Sequence, residues 1–183
     1  MSSLRRPPAE PLRRFAVLLA AALLTVVVLR SALRAGDSPA RGAEVEAVID
    51  GDTVRLRDGS RVRLVQIDAP ERGGSECYAR AATAELRRLV PAGSSVELEL
   101  DPELDAEDRY GRRLAYVLRD GENVNIALVR RGAAGVWFFR GERGRYAEAL
   151  LDAAREARRA RRGLWGACPG TALDPLRAIE TVR

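Results

Sequence analysis

The side chains of this sequence that could do chemistry are acidic residues and arginines. The chain contains no His and no Lys, so all 31 of its basic residues are Arg. Without His, the sequence excludes Ser-His-Asp triads, Cys-His pairs and His-ligated zinc sites. Catalysis would have to use carboxylates, guanidinium groups, hydroxyls or a metal ion that oxygen atoms hold.

The first group of such residues is Asp50-Gly51-Asp52, which separates two short runs of β-forming residues. This spacing places two carboxylates at a strand–turn–strand corner. A plain hairpin turn would explain the motif on its own, because Asp and Gly are favoured in tight turns. An EF-hand calcium loop is excluded because its later ligands and the Glu at its twelfth position are missing.

The second group lies on a strand that leads to two acids, Asp68 and Glu71. In one continuous strand, alternation places Arg63 on the same face as Val65 and Ile67. A guanidinium group on such a face needs an acceptor or an anionic ligand nearby. The alternative for this motif alone is an ordinary surface ion pair.

The third group runs from Asp108 to Tyr116 and contains Arg109, Tyr110 and Arg112. Alone, it would be a loop with exposed arginines that leads into a strand. The three groups together contain the parts that phosphoryl hydrolysis without His requires. Carboxylates and main-chain carbonyls bind Ca²⁺, and planar guanidinium groups neutralise charge on phosphate oxygens.

Short strands and amphipathic helices must position these groups. Tight turns at 50–52 and 58–60 separate the first three predicted strands. The predicted strands are Val45–Ile49, Thr53–Leu56, Arg61–Ile67, Val96–Leu100 and Arg113–Leu118, and the predicted helices are Cys77–Val90, a short helix capped by Asn123 or Asn125 that ends near Gly132, and Tyr146–Arg162. This order predicts an α+β fold, a five-stranded Greek-key barrel with about three packed helices.

The formal net charge of +5 does not belong to this predicted domain. Residues 1–36 contain six Arg and one acid, whereas the remaining 147 residues contain 25 Arg and 25 acids. Charge is nevertheless segregated within the domain. Residues 97–108 carry seven acids and no Arg, and residues 140–162 carry eight Arg and four acids. Only this distribution bears on the binding of a polyanion.

The N-terminal region predicts export or membrane attachment. The run from Phe15 to Leu29 is uncharged for fifteen residues and is flanked by Arg. As an apolar helix it would span roughly 22 Å, less than the ~30 Å hydrocarbon core, which suits a signal peptide or a short anchor. We expect a signal anchor or signal peptide at 1–33, a linker at 34–43, a domain at 44–168 outside the cell membrane or secreted, and a loose C-terminal tail at 169–183.

The two cysteines, Cys77 and Cys168, fit an oxidising destination. An even number of cysteines in an exported domain favours a disulfide. Such a bond would connect the first helix of the domain to the region after its last helix. Two separate buried thiols are the alternative.

The three groups, in this order and at these spacings, resemble the staphylococcal (micrococcal) nuclease family, also called thermonucleases. The resemblance runs from about Glu44 to Trp165 and includes further short motifs. These are Asp120-Gly121, Val124-Asn125, Ala127-Leu128-Val129-Arg130 and Gly163-Leu164-Trp165. The resemblance implies an OB-fold barrel and a Ca²⁺-dependent nuclease that cleaves DNA and RNA and leaves 3′-phosphates. We also expect a monomer, and the N-terminal region predicts that it is exported or membrane-anchored.

The resemblance also implies a metal site. The implied Ca²⁺ ligands are the carboxylates of Asp52 and Asp68 and the main-chain carbonyl of Ala69. Asp50 would reach the metal through water. These are the hard oxygen donors that Ca²⁺ prefers.

Further implied roles fall on residues that would contact the substrate. Arg63 and Arg112 would stabilise the negative charge of the scissile phosphate in the transition state. Glu71 would position or deprotonate the attacking water. Arg109 and Tyr110 match positions that hold the bound nucleotide.

One departure from the family pattern is Phe138, which occupies the position of a nucleotide-stacking Tyr. A phenyl ring can still stack on a base, so we expect it to bind substrate without the hydrogen bond of a hydroxyl. Two other functions remain open. One is a non-catalytic module that binds nucleic acid or protein, and the other is a structural envelope protein whose Asp pairs only tighten turns.

Overall fold

The structure is a computed structural model that describes residues 42–71, 73 and 76–181. The strands of this part are β1 (Ala43–Val48), β2 (Thr53–Leu56), β3 (Arg61–Leu64), β4 (Ile67–Asp68), β5 (Ser95–Glu99), β6 (Arg113–Arg119), β7 (Glu122–Asn123) and β8 (Gly135–Val136). Its helices are α1 (Ala79–Leu89), α2 (Val124–Arg130), α3 (Ala147–Arg159) and α4 (Leu164–Ala167), with a 3₁₀ turn at Phe139–Gly141. The predicted mixed α+β class is confirmed.

Five of the strands close into a barrel. β1 pairs antiparallel with β2 and with β5, β2 pairs with β3, and β5 pairs with β6. The parallel pairing of β3 with β6, in which Arg63 lies opposite Leu114, joins the two ends of the sheet. β7 extends the sheet beyond β6, and β4 and β8 form a separate two-stranded sheet. The predicted five-stranded barrel is therefore confirmed.

One apolar core fills the barrel and the space beneath the helices. The largest fully buried apolar side chains include Leu56, Leu64, Leu86, Leu128 and Leu150. The first two come from barrel strands and the other three from α1, α2 and α3. Each such side chain contributes about 1.5–3 kcal/mol by burial, so the amphipathic helices are held to the barrel mainly by this core.

The start of α2 shows which of the two candidate asparagines caps this helix. The Asn123 side chain caps the helix, because its Oδ1 accepts a hydrogen bond from the Ile126 N–H at 3.1 Å. Asn125 is buried and has a different role. Its Oδ1 accepts from the Val117 N–H at 3.1 Å, and its Nδ2 donates to the Val65 carbonyl at 2.8 Å, so it connects the helix to the barrel.

The predicted strand 61–67 is instead two strands, because the chain turns at Gln66. Gln66 has a φ of 63°, a left-handed conformation that a regular strand does not contain. Its side chain is fixed on both sides, since Nε2 donates to the Glu142 carbonyl at 2.8 Å and Oε1 accepts from the Tyr116 hydroxyl at 3.0 Å. After this turn β4 pairs with β8, which gives Asp68 a direction that simple alternation along β3 did not predict.

The predictions for the N-terminal region fall mostly outside the described residues. The apolar run Phe15–Leu29 and most of the predicted linker 34–43 lie there. The last linker residue, Ala43, already belongs to β1. In the part of the chain that the structure describes, no helix combines the length and the apolar character needed to span a membrane.

The C-terminal segment, residues 169–181, is not the loose tail that we predicted. It contains no helix or strand, but it packs against the barrel. The Phe138 N–H donates to the Pro175 carbonyl at 2.7 Å, the Thr181 hydroxyl donates to the Cys77 carbonyl at 2.9 Å, and Leu173 packs against the core. Individual contacts of this kind leave no apolar period in the sequence, so the pattern could not reveal them.

Candidate active site

Two carboxylates from different parts of the barrel meet at one arginine. Asp52 lies in the turn before β2, Asp68 ends β4, and Arg63 lies in β3. Arg63 Nη2 is 2.6 Å from Asp68 Oδ1 and 3.2 Å from Asp52 Oδ2. All three side chains are buried. Together with Asp50 they form what we call the acidic corner.

The turn that carries the first two acids is tight because of its glycine. Asp50 Oδ1 accepts a hydrogen bond from the Asp52 N–H at 3.1 Å, which closes the turn. A Cβ atom at Gly51 would lie only 2.5 Å from the Cβ of Ala69 and 3.1 Å from the Cβ of Ala82. Any larger residue would therefore push the turn away from α1 and from the end of β4.

Hydrogen bonds fix the side chains of the corner. Asp52 Oδ1 accepts from the Thr53 hydroxyl and Oδ2 accepts from the Ala69 N–H, both at 3.0 Å. Arg63 Nη1 donates to the main-chain carbonyls of Leu64 at 3.0 Å and Ile67 at 2.8 Å. The buried guanidinium thus has the acceptors that its place in the strand pattern required. The corner is held in one arrangement by main-chain groups on both sides.

Burial and charge shift the pKa values of the corner. Burial raises the pKa of Asp68 to about 6, although the Arg63 guanidinium opposes this shift. Burial, and then the charge of Asp52, raises the pKa of Asp50, and the same two causes raise the pKa of Glu71. Burial would lower the pKa of Arg63, but the Asp52 and Asp68 carboxylates outweigh it and raise that pKa. A buried site with more carboxylates than guanidinium groups favours a further cation.

The donor atoms of the corner fit a hard divalent cation. Asp52 and Asp68 direct oxygens to the same point, because both contact one nitrogen of Arg63. Ca²⁺ takes about six to eight oxygen ligands. Among the residues that the structure describes, no three or more Cys, Asp or Glu side chains form a metal-binding group. A cation here would therefore take its other ligands from water and from main-chain carbonyls such as that of Ala69.

Glu71 lies just beyond the corner, in the loop after β4. The charges of Asp52 and Asp50 contribute to its raised pKa, so these three acids are near one another. Neighbouring groups partly desolvate the carboxylate, but the residue lies at the surface, so water still reaches it. Its main-chain N–H donates to Glu76 Oε2 at 2.9 Å, which orders the start of the loop.

Arg63 connects the acidic corner to a surface cavity of about 420 Å³. Arg112 lines the same cavity from the loop that precedes β6. Its Nε donates to Asp108 Oδ2 at 2.7 Å. Burial would raise the pKa of Asp108, but the hydrogen bonds from Arg112 outweigh it and lower that pKa. Asp108 therefore stays ionised as the partner of Arg112. Arg63 and Arg112 are two of the four arginines that line this cavity.

Arg109 and Tyr110 also line this cavity. Tyr110 is 56% exposed, and the Arg109 and Arg112 guanidinium carbons lie 4.8 Å and 5.4 Å from the centroid of its ring. The Arg109 Nη2 donates to the Tyr110 hydroxyl at 2.5 Å. Arg61 Nη2 holds the Tyr110 carbonyl at 3.0 Å. The ring is thus supported by arginines and remains accessible from the cavity.

The prediction for Phe138 needs correction. Its side chain is 3% exposed and belongs to the core, so it offers no ring face to a nucleotide. Its two neighbours, Trp137 and Phe139, line the cavity instead, and Phe139 is 51% exposed. The Arg63 guanidinium carbon lies 5.4 Å from the centroid of the Trp137 ring. The signal that we missed is the aromatic run itself, in which alternation sends neighbouring rings to opposite sides.

A disulfide lies close to this site. Cys77 and Cys168 are bonded, with their Cα atoms 5.9 Å apart. Cys77 precedes α1 and follows the loop that begins at Glu71, and Cys168 follows α4. The bond therefore attaches the C-terminal segment to the loop that borders the acidic corner.

Comparison with known proteins identifies the family. Residues 61–167 match the family model described as "Staphylococcal nuclease homologue". This chain belongs to that family. The matched part runs from β3 to α4. It contains the arginines and carboxylates of the site from Arg63 onward, whereas Asp52 lies just before the matched part. The closed five-stranded barrel with its helices agrees with the OB fold of staphylococcal nucleases.

Several similar proteins agree with this assignment to the staphylococcal nuclease family. An "Uncharacterized endonuclease" of Escherichia coli O157:H7 is 41% identical over 125 residues, which cover 66% of this chain and 74% of that protein. "Thermonuclease" of Staphylococcus intermedius is 34% identical over 128 residues, which cover 66% of this chain and 74% of that protein. "Protein ParB" of Escherichia coli is 38% identical over 166 residues, which cover 84% of this chain and 86% of that protein.

Proposed function

We propose that this chain is a Ca²⁺-dependent phosphodiesterase that hydrolyses DNA and RNA and leaves 3′-phosphates. The observation that carries the proposal is the position of Arg63. Its guanidinium contacts the Asp52 and Asp68 carboxylates of the acidic corner and also lines the cavity that Arg112 lines. A phosphate in that cavity would lie between a cation site and two guanidinium groups. The endonuclease and thermonuclease names of the relatives support the same reaction class.

The acidic corner would hold the cation through the carboxylates of Asp52 and Asp68 and the carbonyl of Ala69. Asp50, whose Oδ1 is engaged with the Asp52 N–H, would contact it through water. A bound Ca²⁺ polarises a phosphoryl oxygen and neutralises charge in the transition state. The raised pKa of Asp68, about 6, still leaves this ligand ionised at neutral pH.

The residues of the chain supply the remaining parts of the reaction. Arg63 and Arg112 would hold the phosphate oxygens with planar pairs of N–H groups, which strengthen as negative charge accumulates. Glu71, exposed to water and with a raised pKa, would orient the attacking water and accept its proton. The oxygen of that water bonds to phosphorus, the bond to the 5′ oxygen breaks, and the leaving alkoxide takes up a proton. The products are a 3′-phosphate and a 5′-hydroxyl.

The nucleotide would rest against aromatic side chains of the cavity. Trp137 and Phe139 pack edge to face with centroids 5.6 Å apart, and Tyr110 belongs to the same cavity. We call these three residues the aromatic rim. Stacking on such rings accepts every base, at about 1–3 kcal/mol for each base by alanine substitution. The arrangement suits binding of single-stranded nucleic acid without sequence preference.

We further propose that the domain works outside the cytoplasmic membrane, either anchored by residues 15–29 or secreted, and as a monomer. The disulfide between Cys77 and Cys168 supports an oxidising compartment, because disulfides seldom persist in the cytosol. The uncharged run at 15–29 with flanking Arg supports export.

A cleavage assay tests the proposed function. The purified protein is incubated with single-stranded DNA and with RNA, in Ca²⁺ and in excess EGTA, and the product ends are analysed by mass spectrometry. We expect cleavage of both substrates in Ca²⁺, products with 3′-phosphates, and no cleavage in EGTA. Full activity in EGTA would contradict the metal assignment. Binding of nucleic acid without cleavage in either condition would indicate a non-catalytic module instead.

A further inference from the structure

The C-terminal segment reaches the acidic corner. Its main-chain N–H at Ile179 donates a hydrogen bond to Asp68 Oδ2 at 2.8 Å. The two partners are 111 positions apart in the sequence, and the contact is made by main chain, so no motif could indicate it. This contact links the segment to a residue of the acidic corner.

Packing against β8 determines where this N–H points. Gly135 on β8 lies opposite Asp68 on β4 in the two-stranded sheet. A Cβ atom at Gly135 would lie 2.5 Å from Ile179 Cδ1, so the absence of a side chain there makes room for the isoleucine. The Ile179 side chain is thus seated beside the strand pair that carries Asp68, and its amide is held at the carboxylate.

Both oxygens of Asp68 are therefore engaged by different partners. Oδ1 contacts the Arg63 guanidinium at 2.6 Å, and Oδ2 accepts from Ile179. An arginine side chain can rotate away when a cation binds, whereas a main-chain amide that is packed in place cannot. Groups that hydrogen-bond a metal-ligating carboxylate orient it, and removing them typically weakens metal binding about 10–100-fold.

We propose that the Ile179 main-chain N–H is a positioning group of the metal site. It holds Oδ2 so that Asp68 presents its other oxygen to the cation, which makes the C-terminal segment part of the active site. This inference rests on the proposed function, because it assigns a divalent cation to the acidic corner. It adds a group that neither the family pattern of acids and arginines nor the cavity includes.

The two ends of the segment explain how the contact is maintained. Cys168 is bonded to Cys77 through the disulfide, and the Thr181 hydroxyl donates to the carbonyl of the same Cys77 at 2.9 Å. Both ends of the segment are therefore attached to Cys77. Ile179 lies two residues before the second attachment, so its position depends on both.

The test measures Ca²⁺ binding by isothermal titration calorimetry, without nucleic acid, on the wild-type protein and on variants that keep the disulfide. Ile179→Pro removes the N–H, and a chain that ends at Arg177 removes the whole contact but keeps the hydrogen bond to Pro175. Ile179→Val is the matched control, because it removes one methyl group but keeps the N–H and most of the packing beside Gly135. We expect the Kd for Ca²⁺ to rise about 10–100-fold in the first two variants and to change little in the control.

A measurement on the wild-type protein does not depend on how the variants fold. The ¹⁵N-isoleucine-labelled protein is titrated with Ca²⁺, and the Ile179 amide resonance should shift with the Kd measured by calorimetry. A resonance that does not move at saturating Ca²⁺ would overturn the inference.

The other outcomes separate the inference from the proposed function. An unchanged Kd in the chain that ends at Arg177 would overturn the inference alone, because the cation site would then be independent of the segment. Tighter binding in that chain would also overturn it, because the segment would compete with the cation. Wild-type protein that binds no Ca²⁺ would overturn the cation assignment and the inference together.

Discussion

The acidic corner and the aromatic rim border the same guanidinium group, but they are built differently. The corner consists of buried side chains on strand ends and a tight turn, each held by main-chain hydrogen bonds. The rim consists of more exposed rings on irregular chain, in the loops after β8 and before β6. The corner is thus suited to hold one geometry for a cation, and the rim to accept different bases.

This difference predicts unequal consequences for substitutions. A change in the corner should affect turnover steeply, because the cation and the phosphate must be placed accurately. A change in the rim should affect substrate affinity modestly, because stacking tolerates small displacements.

The largest effect is expected for Asp52→Asn. The amide keeps the size of the side chain and an acceptor for the Ala69 N–H, but it loses the negative charge that would bind the cation. We expect kcat to fall at least about 100-fold, beyond the usual range for groups that only support metal ligands. The measurement is turnover at saturating Ca²⁺, with thermal unfolding as the control. Near-normal turnover would remove Asp52 from the metal site.

A smaller effect is expected for Arg63→Lys and Arg112→Lys. Lysine keeps the charge but loses the planar pair of N–H groups that matches phosphate oxygens. We expect kcat to fall at least about tenfold for each. Arg63→Lys should also lower stability, because Arg63 donates to two carbonyls in the protein interior, whereas Arg112→Lys should not. If both variants kept their turnover, the two arginines would be structural ion-pair partners only.

The pH dependence of Ca²⁺ binding follows from Asp68. Burial raises its pKa to about 6, so a proton occupies the carboxylate below that pH and competes with the cation. Affinity for Ca²⁺ should therefore be about tenfold lower at pH 5 than at pH 7, since one pH unit below the pKa leaves about a tenth of the groups ionised. A Kd independent of pH over this range would show that Asp68 is not a ligand.

The raised pKa of Asp68 has the opposite consequence for the stability of the metal-free protein, which should fall as the pH rises. Because the pKa of Asp68 is higher in the folded than in the unfolded chain, its contribution to the free energy of unfolding is present below about pH 4 and is lost as the pH rises through about 6. In EGTA, this group alone should therefore make the domain less stable at pH 7 than at pH 4, which urea unfolding can measure.

The smallest effect on activity is expected in the aromatic rim, with a core neighbour as the control. Phe139→Ala should raise KM about fivefold, the equivalent of about 1 kcal/mol of stacking, and should leave stability nearly unchanged. Phe138→Ala should lower stability by about 3–5 kcal/mol, because it leaves a cavity in the core, and should change KM little in protein that is still folded. The reverse pattern would restore the original assignment of Phe138.

The contrast between the two regions also explains what the sequence could predict. The strands, the barrel and the acids at strand ends follow from local patterns, because alternation and turn residues act within a few positions. The direction of the Asp68 side chain does not follow from such patterns, because it depends on the left-handed conformation of Gln66. The aromatic assignment was displaced by one residue, because alternation along the aromatic run sends Trp137 and Phe139 to the cavity and Phe138 to the core. The contact of Ile179 with Asp68 involves main chain only and leaves no sequence signal.

The most direct test of the proposed function is a crystal structure determined with Ca²⁺ and a short oligonucleotide. The proposed function predicts an ion between Asp52, Asp68 and the carbonyl of Ala69, with oxygen ligands at about 2.3–2.6 Å. It also predicts that Arg63 leaves at least one of the two carboxylates to contact a phosphate oxygen. An ion bound elsewhere, or Arg63 still bridging Asp52 and Asp68 at saturating Ca²⁺, would contradict it.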